Sequence, residues 1–293
     1  MIVLSEPDVG RLPEVVDALR RMACDLSPGQ LHPGDLGWQW RFGAEATATA
    51  VRTWSRRGQI LAVGMLDSPR LLRLAVVPQE QADEELVRQL LVDITRPERG
   101  VLPPGDVSVE ARCGGPLREL LCDAGGVLDE AWTPLRRDLG EPVDQPKVPI
   151  EAIGPERAWL RAAVQRAAFD NSTFTEERWR AMAAGAPYAE ARCLVAYDDQ
   201  GTAVAGVTVW SAGPERPGLL EPMGVHRDHR GRGYGTAITT AAAAALRDMG
   251  SSSAIVCTPS ANLAAVATYR SAGFQQLPDV HDLRLRANGA RLG

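Results

Sequence analysis

The sequence predicts an α/β chain in which a mixed β-sheet flanked by helices is built twice. Three observations predict it. First, two pairs of stretches match at a common offset of 148 residues. LLRLAVVP at 71–78 falls on LLEPMGVH at 219–226, and LLCDAGGVLDEAWTPLRRDL at 120–139 falls on TYRSAGFQQLPDVHDLRLRA at 268–287. Between these anchors DVSVEA falls on AIVCTP without an insertion. Second, RRDLGEPVDQPKVPIEAIGPE at 136–156 is rich in proline and charge and reads as a linker. Third, helix and strand signals alternate through the second half. The expected division is a first domain at 1–140, a linker at 141–152 and a second domain at 153–293.

In the second half, PERAWLRAAVQRAAF has apolar residues at helical spacing, and TEERWRAMAAG suggests a shorter helix after the loop DNSTF. RCLVAYDDQGTAVAGVTVW reads as a hairpin turning at Asp199–Gly201. GLLEPMGV is a further strand, and GTAITTAAAAALRDMG is a helix stopped by Gly250. The strand SAIVCTP, the helix ANLAAVATYRSAG and final strands around FQQLP and HDLRLR follow. The order α-α-β-β-β-α-β-α-β is that of a mixed sheet with helices on its faces.

Composition narrows the function. With 45% hydrophobic and 24% charged residues the chain is globular in character, and no run approaches the roughly 20 apolar residues that span a bilayer. MIVLSEPDVG lacks the basic start and apolar core of a secretory signal, so a cytoplasmic location is expected. A formal charge of −5 argues against general nucleic-acid binding. Lys147 is the only lysine, a bias that reads as GC-rich coding. Cys24, Cys113, Cys122, Cys193 and Cys257 are odd in number and lack CxxC spacing, so neither a disulfide nor a zinc site is predicted. His226 and His229 lie close together without a carboxylate cluster or third histidine, and read as loop residues near a phosphate site rather than metal ligands.

HRGRGYGTA at 229–237 places Gly231, Gly233 and Gly235 at alternate positions where a strand gives way to a helix. Glycine is entropically costly there unless backbone must approach something closely. A helix N-terminus offers unpaired N–H groups and a positive dipole end, suited to phosphate, with Arg230 and Arg232 adding charge at the rim. The string is neither a P-loop nor a Rossmann fingerprint. Some thirty residues on, NLAAVATYRSAGF sets Asn262, Tyr269, Gly273 and Phe274 in one pattern. Singly, Asn262 reads as an N-cap, Gly273 as a C-cap and Tyr269 as core.

R-x-x-G-x-G after a strand, followed by N-x-x-A-x-x-x-Y-x-x-x-G-F, resembles the GNAT superfamily of acyl-CoA-dependent N-acetyltransferases. The likeness covers residues 150–287 closely and the first half only as an eroded copy, which implies two tandem GNAT-like domains with the N-terminal one degenerate. It implies acetyl-CoA as cosubstrate and an amine as acceptor, without a metal. Met223, Gly224 and Val225 match the strand segment that pairs with the pantetheine arm. Arg230, Gly231, Arg232, Gly233, Tyr234, Gly235 and Thr236 match the pyrophosphate loop. Asn262 matches a residue that contacts the cosubstrate, and Tyr269 the general acid that protonates the departing thiolate. Arg227 stands where the family often has proline. Tandem chains in the superfamily include mycothiol synthase, so acetylation of an amino-sugar thiol conjugate is an alternative; a non-catalytic acyl-CoA sensor is another.

The base is read from the strand itself. Period-two alternation in LLEPMGV puts Leu219, Glu221, Met223 and Val225 on one face, and a carboxylate on an apolar face is expensive unless used. Glu221 is therefore the candidate base, with a salt-bridge partner as its plainer role. Ser172 and Thr173 are placed on the acceptor side by loop position. Trp38 and Trp40, in GDLGWQWRFG, read as packing or pocket wall. In the first half, Gly231, Gly233 and Gly235 fall on Asp83, Glu85 and Val87, Tyr269 on Leu121 and Asn262 on Gly114. An acidic stretch there repels phosphate, so one working site is expected per chain.

Overall fold

The computed structural model describes residues 1–25, 29–112, 115–144 and 146–286, so Cys113 and Gly114 lie outside the described residues. In chain order the elements are β1 (Val3–Ser5), α1 (Leu12–Met22), α2 (Pro33–Gln39), α3 (Ala44–Ala50), β2 (Val51–Arg56), β3 (Gln59–Ser68) and β4 (Leu71–Val76). Next come α4 (Glu84–Thr95), β5 (Val107–Glu110), α5 (Gly115–Asp123), β6 (Val127–Asp138) and β7 (Ile150–Ile153). The remainder is α6 (Ala158–Ala168), α7 (Glu176–Ala183), β8 (Ala191–Tyr197), β9 (Ala203–Trp210), β10 (Gly218–Val225), α8 (Tyr234–Asp248), β11 (Ser253–Pro259), α9 (Leu263–Ser271), β12 (Gln275–Gln276) and β13 (Val280–Leu285). The strand β7 stands inside the stretch read as linker and pairs antiparallel with β8. Each end of α9 lies 148 residues beyond the matching end of α5, so the register seen in the sequence is also a register of structure.

Two compact units form, and they are not consecutive stretches of chain. Of the described residues, the first takes those within Met1–His32 and Glu45–Trp132 and those of 279–286; the second takes those within Pro33–Ala44 and Thr133–Pro278. The first unit orders its strands β1-β2-β3-β4-β5-β13 and ends on the first half of β6. The second begins on the last half of β6 and continues β11-β10-β9-β8-β7. In both, the antiparallel meander meets one parallel pair, β4 with β5 and β10 with β11.

The cores follow from patterning. The helix α1 buries Leu12, Val15, Val16, Leu19 and Met22, one stripe at helical spacing. The strand β9 is buried almost end to end, as a strand covered on both faces must be. On one of those faces α8 packs Ile238, Ala242 and Leu246, its small alanines letting the helix lie close. On the other lie α6, α7 and α2, with Trp179 and Trp210 at the centre. The short helix α2 approaches so closely that a Cβ on Gly34 or Gly37 would stand 2.5 or 2.3 Å from the Trp210 side chain. Trp38 stacks on Phe174 at 5.1 Å, and Trp40 covers Gly185. Among the described residues no helix is long and apolar enough to cross a membrane.

Candidate active site

The strand β10 carries an irregularity that decides what faces the site. Leu219 pairs with Trp210 and Leu220 with Val209, but Val207 pairs with Met223, so one extra residue is inserted at Glu221–Pro222, whose peptide bond is cis. Proline, which has no N–H to give to a ladder, is tolerated at such a bulge. The insertion corrects the alternation expected from the sequence. Leu219 packs with Trp179 and Trp210, whereas Leu220, Met223 and Val225 pack on the opposite side with Tyr269. A one-residue shift turns every later side chain to the other face, so the common face of Leu219, Glu221, Met223 and Val225 does not form. The Glu221 carbonyl accepts a 2.6 Å hydrogen bond from Trp210 Nε1, which pins the bulge.

Beyond the bulge the parallel ladder is open. β10 and β11 pair only at Gly218↔Ala254 and Leu219↔Ile255. His226 N donates to Val204 O at 2.8 Å, so alternation turns the N–H and C=O groups of Met223 and Val225 away from β9 and toward the split. Gly224 lies under α6, where a Cβ would come within 2.6 Å of Phe169 and 2.7 Å of Ala168. The first unit treats its own β4 differently. There Leu31 N donates to Leu74 O at 3.1 Å and Val76 N donates to Gln30 Oε1 at 2.9 Å. Buried chain thus occupies the strand edge that the second unit leaves free.

At the end of β10, Gly231 and Gly233 adopt φ of 76° and 83°, the left-handed region that side chains resist, and the space beside each is open. Gly235 meets Thr268 of α9, 2.9 Å from a would-be Cβ. Gly233 is the N-cap of α8 and offers no capping side chain, and the first turn holds no acid. The matching helix α4 is closed: Asp83 accepts from Leu86 N at 2.8 Å, and Arg56 holds Asp83 and Glu85 at 2.7 and 3.1 Å. That arginine, with the backbone N–H of Leu86, keeps the Asp83 carboxyl below its usual range. Arg230 and Arg227 donate to the last carbonyls of α6, Arg230 to Ala168 at 2.7 Å and Arg227 to Ala167 at 3.1 Å. They brace the loop. Arg232 and Thr236 line a cavity beside it, and Tyr234 packs into the core under α8.

Tyr269 is 6% exposed on α9, and burial pushes its phenol above the ordinary range, with the nearby Glu221 charge and Cys257 adding to the effect. The phenol therefore holds its proton through neutral pH. Glu221 on β10 and Cys257 on β11 are thus near enough to act on the Tyr269 charge. Asn262 caps α9, its side chain accepting from Ala265 N at 3.2 Å. Ser172 accepts from Phe174 N, and Thr173 accepts from Arg178, both contacts internal to the α6–α7 loop and α7. Cys24, Cys122, Cys193 and Cys257 are free thiols, and among the described residues no His, Cys, Asp and Glu cluster could hold a metal. Sequence reasoning passed over the Glu221–Trp210 contact and the Arg161 guanidinium, which is 1% exposed with no hydrogen-bond partner for Nε and Nη2. The proline in GLLEPMGV was the available signal for the bulge.

An open strand edge, a helix N-terminus without a side-chain cap, left-handed glycines and a buried tyrosine all belong to the second unit. Residues 158–274 match the model of the Acetyltransferase (GNAT) family, and this part of the chain belongs to that family. No curated protein matches the chain significantly. Solved structures share the fold over nearly all of the chain. A GCN5-related N-acetyltransferase from Sphaerobacter thermophilus is 17% identical with a TM-score of 0.59, covering 98% of this chain and 96% of that one. A tandem GNAT protein from the clavulanic acid biosynthesis pathway is 14% identical with a TM-score of 0.61, covering 98% and 99%. A GNAT-family acetyltransferase from Colwellia psychrerythraea is 17% identical at 0.57, covering 97% and 98%. The whole chain therefore has the fold of two GNAT-like domains in tandem.

Proposed function

We propose that the chain transfers an acetyl group from acetyl-CoA to an amine by direct attack, using one site in its C-terminal half. The observation that carries this reading is the free edge of Met223 and Val225, opening beside the uncapped start of α8. Backbone groups of that edge take the place of a partner strand for the amide-bearing arm of the cosubstrate, as in strand addition. The N–H groups of residues 231–235 receive the diphosphate, and Arg230 keeps the loop in place through Ala168. Acetyl-CoA supplies the activated acyl group. Tyr269 gives its proton to the departing thiolate, for which a buried, protonated phenol is suited. Glu221 accepts the proton of the attacking amine directly or through one water. The N-terminal half is a diverged copy whose helix start and strand edge are closed by its own residues.

The test is thiol release from acetyl-CoA measured against a panel of amino sugars, amino acids, polyamines and peptide amines. Amine-dependent release with at least one acceptor, accompanied by an acetylated product, supports the reading. Binding of acetyl-CoA without release across the panel would favour a sensor.

A further inference from the structure

A cavity of about 660 Å³ begins at Arg232 and Gly233 and continues past Thr236 to Gly273, just beyond the end of α9. Three cationic side chains from three separate segments line it: Arg232 from the glycine loop, Arg137 from β6 and Lys147 from the stretch before β7. Asp144 is the acid that shares the lining. The cations are not equivalent. Arg137 is committed, donating from Nη1 to Ala272 O at 2.6 Å at the end of α9. Arg232 and Lys147 are exposed, and among the described residues neither forms an ion pair or a hydrogen bond.

The cavity shares Gly233 with the start of α8, which fixes what can enter it. A ligand whose diphosphate lies on residues 231–235 sends one arm into the split between β10 and β11, and its other end has this cavity beside it. The volume is in the range that holds a nucleoside-sized group. Arg232 adjoins the diphosphate loop in sequence, leaving Lys147 as the cation for any further phosphate. Both Arg137 and Lys147 lie outside residues 158–274, so the family match says nothing of them. In a chain of net charge −5 whose basic residues are otherwise all arginine, the single lysine stands at this cavity.

We propose that Lys147 recognises the ribose 3′-phosphate of the acyl-CoA and sets discrimination against the 3′-dephospho form, an inference that rests on the acyl-CoA reading above. A compact ammonium on a flexible stem suits a phosphate monoester, to which it offers a point charge. One charge-assisted contact of this kind at an exposed position corresponds to roughly a tenfold preference. The attraction is screened, so the preference shrinks as salt is raised.

Calorimetry on the full chain with acetyl-CoA and with 3′-dephospho-acetyl-CoA tests it. The wild type is expected to prefer acetyl-CoA by about tenfold. Lys147→Ala should bring the ratio to within about twofold by weakening acetyl-CoA alone, and Lys147→Arg should restore most of it. A wild type without preference, or a ratio unchanged by Lys147→Ala, overturns the assignment while leaving the acyl-CoA reading intact. If neither compound binds the wild type, both fail.

Discussion

Gly233→Asp places a carboxylate where the first unit already has one. Gly233 caps α8 at φ 83° with open space beside it, whereas Asp83 caps α4 with its own side chain. A carboxylate about 5 Å from a diphosphate of charge about −2 costs about 2 kcal/mol at a near-aqueous dielectric. That corresponds to about a thirtyfold rise in the dissociation constant of acetyl-CoA. The folded chain should scarcely notice. A left-handed φ costs about 1 kcal/mol, and a carboxylate beside the positive end of α8 offsets a few tenths of a kcal/mol of it, so the ligand-free Tm should move by only a few degrees. Gly213→Asp is the control, since Gly213 has a φ of 105° and open space but lies away from the loop. Calorimetry with acetyl-CoA and thermal melting of both variants give the answer. A Kd within threefold of wild type for Gly233→Asp, with melting intact, would refute the phosphate role of this loop.

Three further outcomes are expected. Titration with acetyl-CoA should give one site per chain, because the first unit has its strand edge taken by Gln30 and Leu31; two equivalent sites would contradict this. Tyr269→Phe should lower turnover on the order of 10²–10⁴-fold with little change in acetyl-CoA affinity. Since the Tyr269 pKa is raised, its proton is present at pH 7 and is lost only above the ordinary phenol value near 10, so the wild-type profile should show no alkaline loss from this group up to pH 9. Full activity of the variant where chemistry is limiting would return Tyr269 to packing. Glu221→Gln should slow acetylation most near neutrality and recover toward high pH, where the amine deprotonates unaided. A flat deficit accompanied by a lowered Tm would mark Glu221 as structural.

What the sequence made legible was local. The glycines at 231, 233 and 235 announce a loop because their conformation is written into the residue type, and Asn262 and Gly273 mark the limits of α9 by capping. The alternation argument failed at Glu221 because a bulge is a mismatch between two strands, and periodicity along one strand cannot show it. Pairing of Gln30 with Val76 was invisible for the same reason: its partners are 46 residues apart and leave no pattern on either segment. Trp38 and Trp40 were read as packing or pocket wall, and their packing on Phe174 and Gly185 depends on tertiary folding, which no local pattern shows. Lys147 was conspicuous as the single lysine and was passed over as a matter of base composition.

The exchange of chain between the units has a consequence for how this protein is made. In the first unit β13 lies between β5 and β6, so a strand from residues 280–285 completes a sheet whose other strands end by residue 138. An emerging chain cannot finish this unit until residues 280–285 have left the ribosome. While residues 139–279 are being made, β5 and the start of β6 wait with a vacant slot between them, an unpaired edge of the kind that invites other chains. A fragment ending near residue 140 keeps that slot open indefinitely and should aggregate rather than behave as a domain. Adding a peptide carrying residues 278–286 should improve its solubility if the missing strand is the cause.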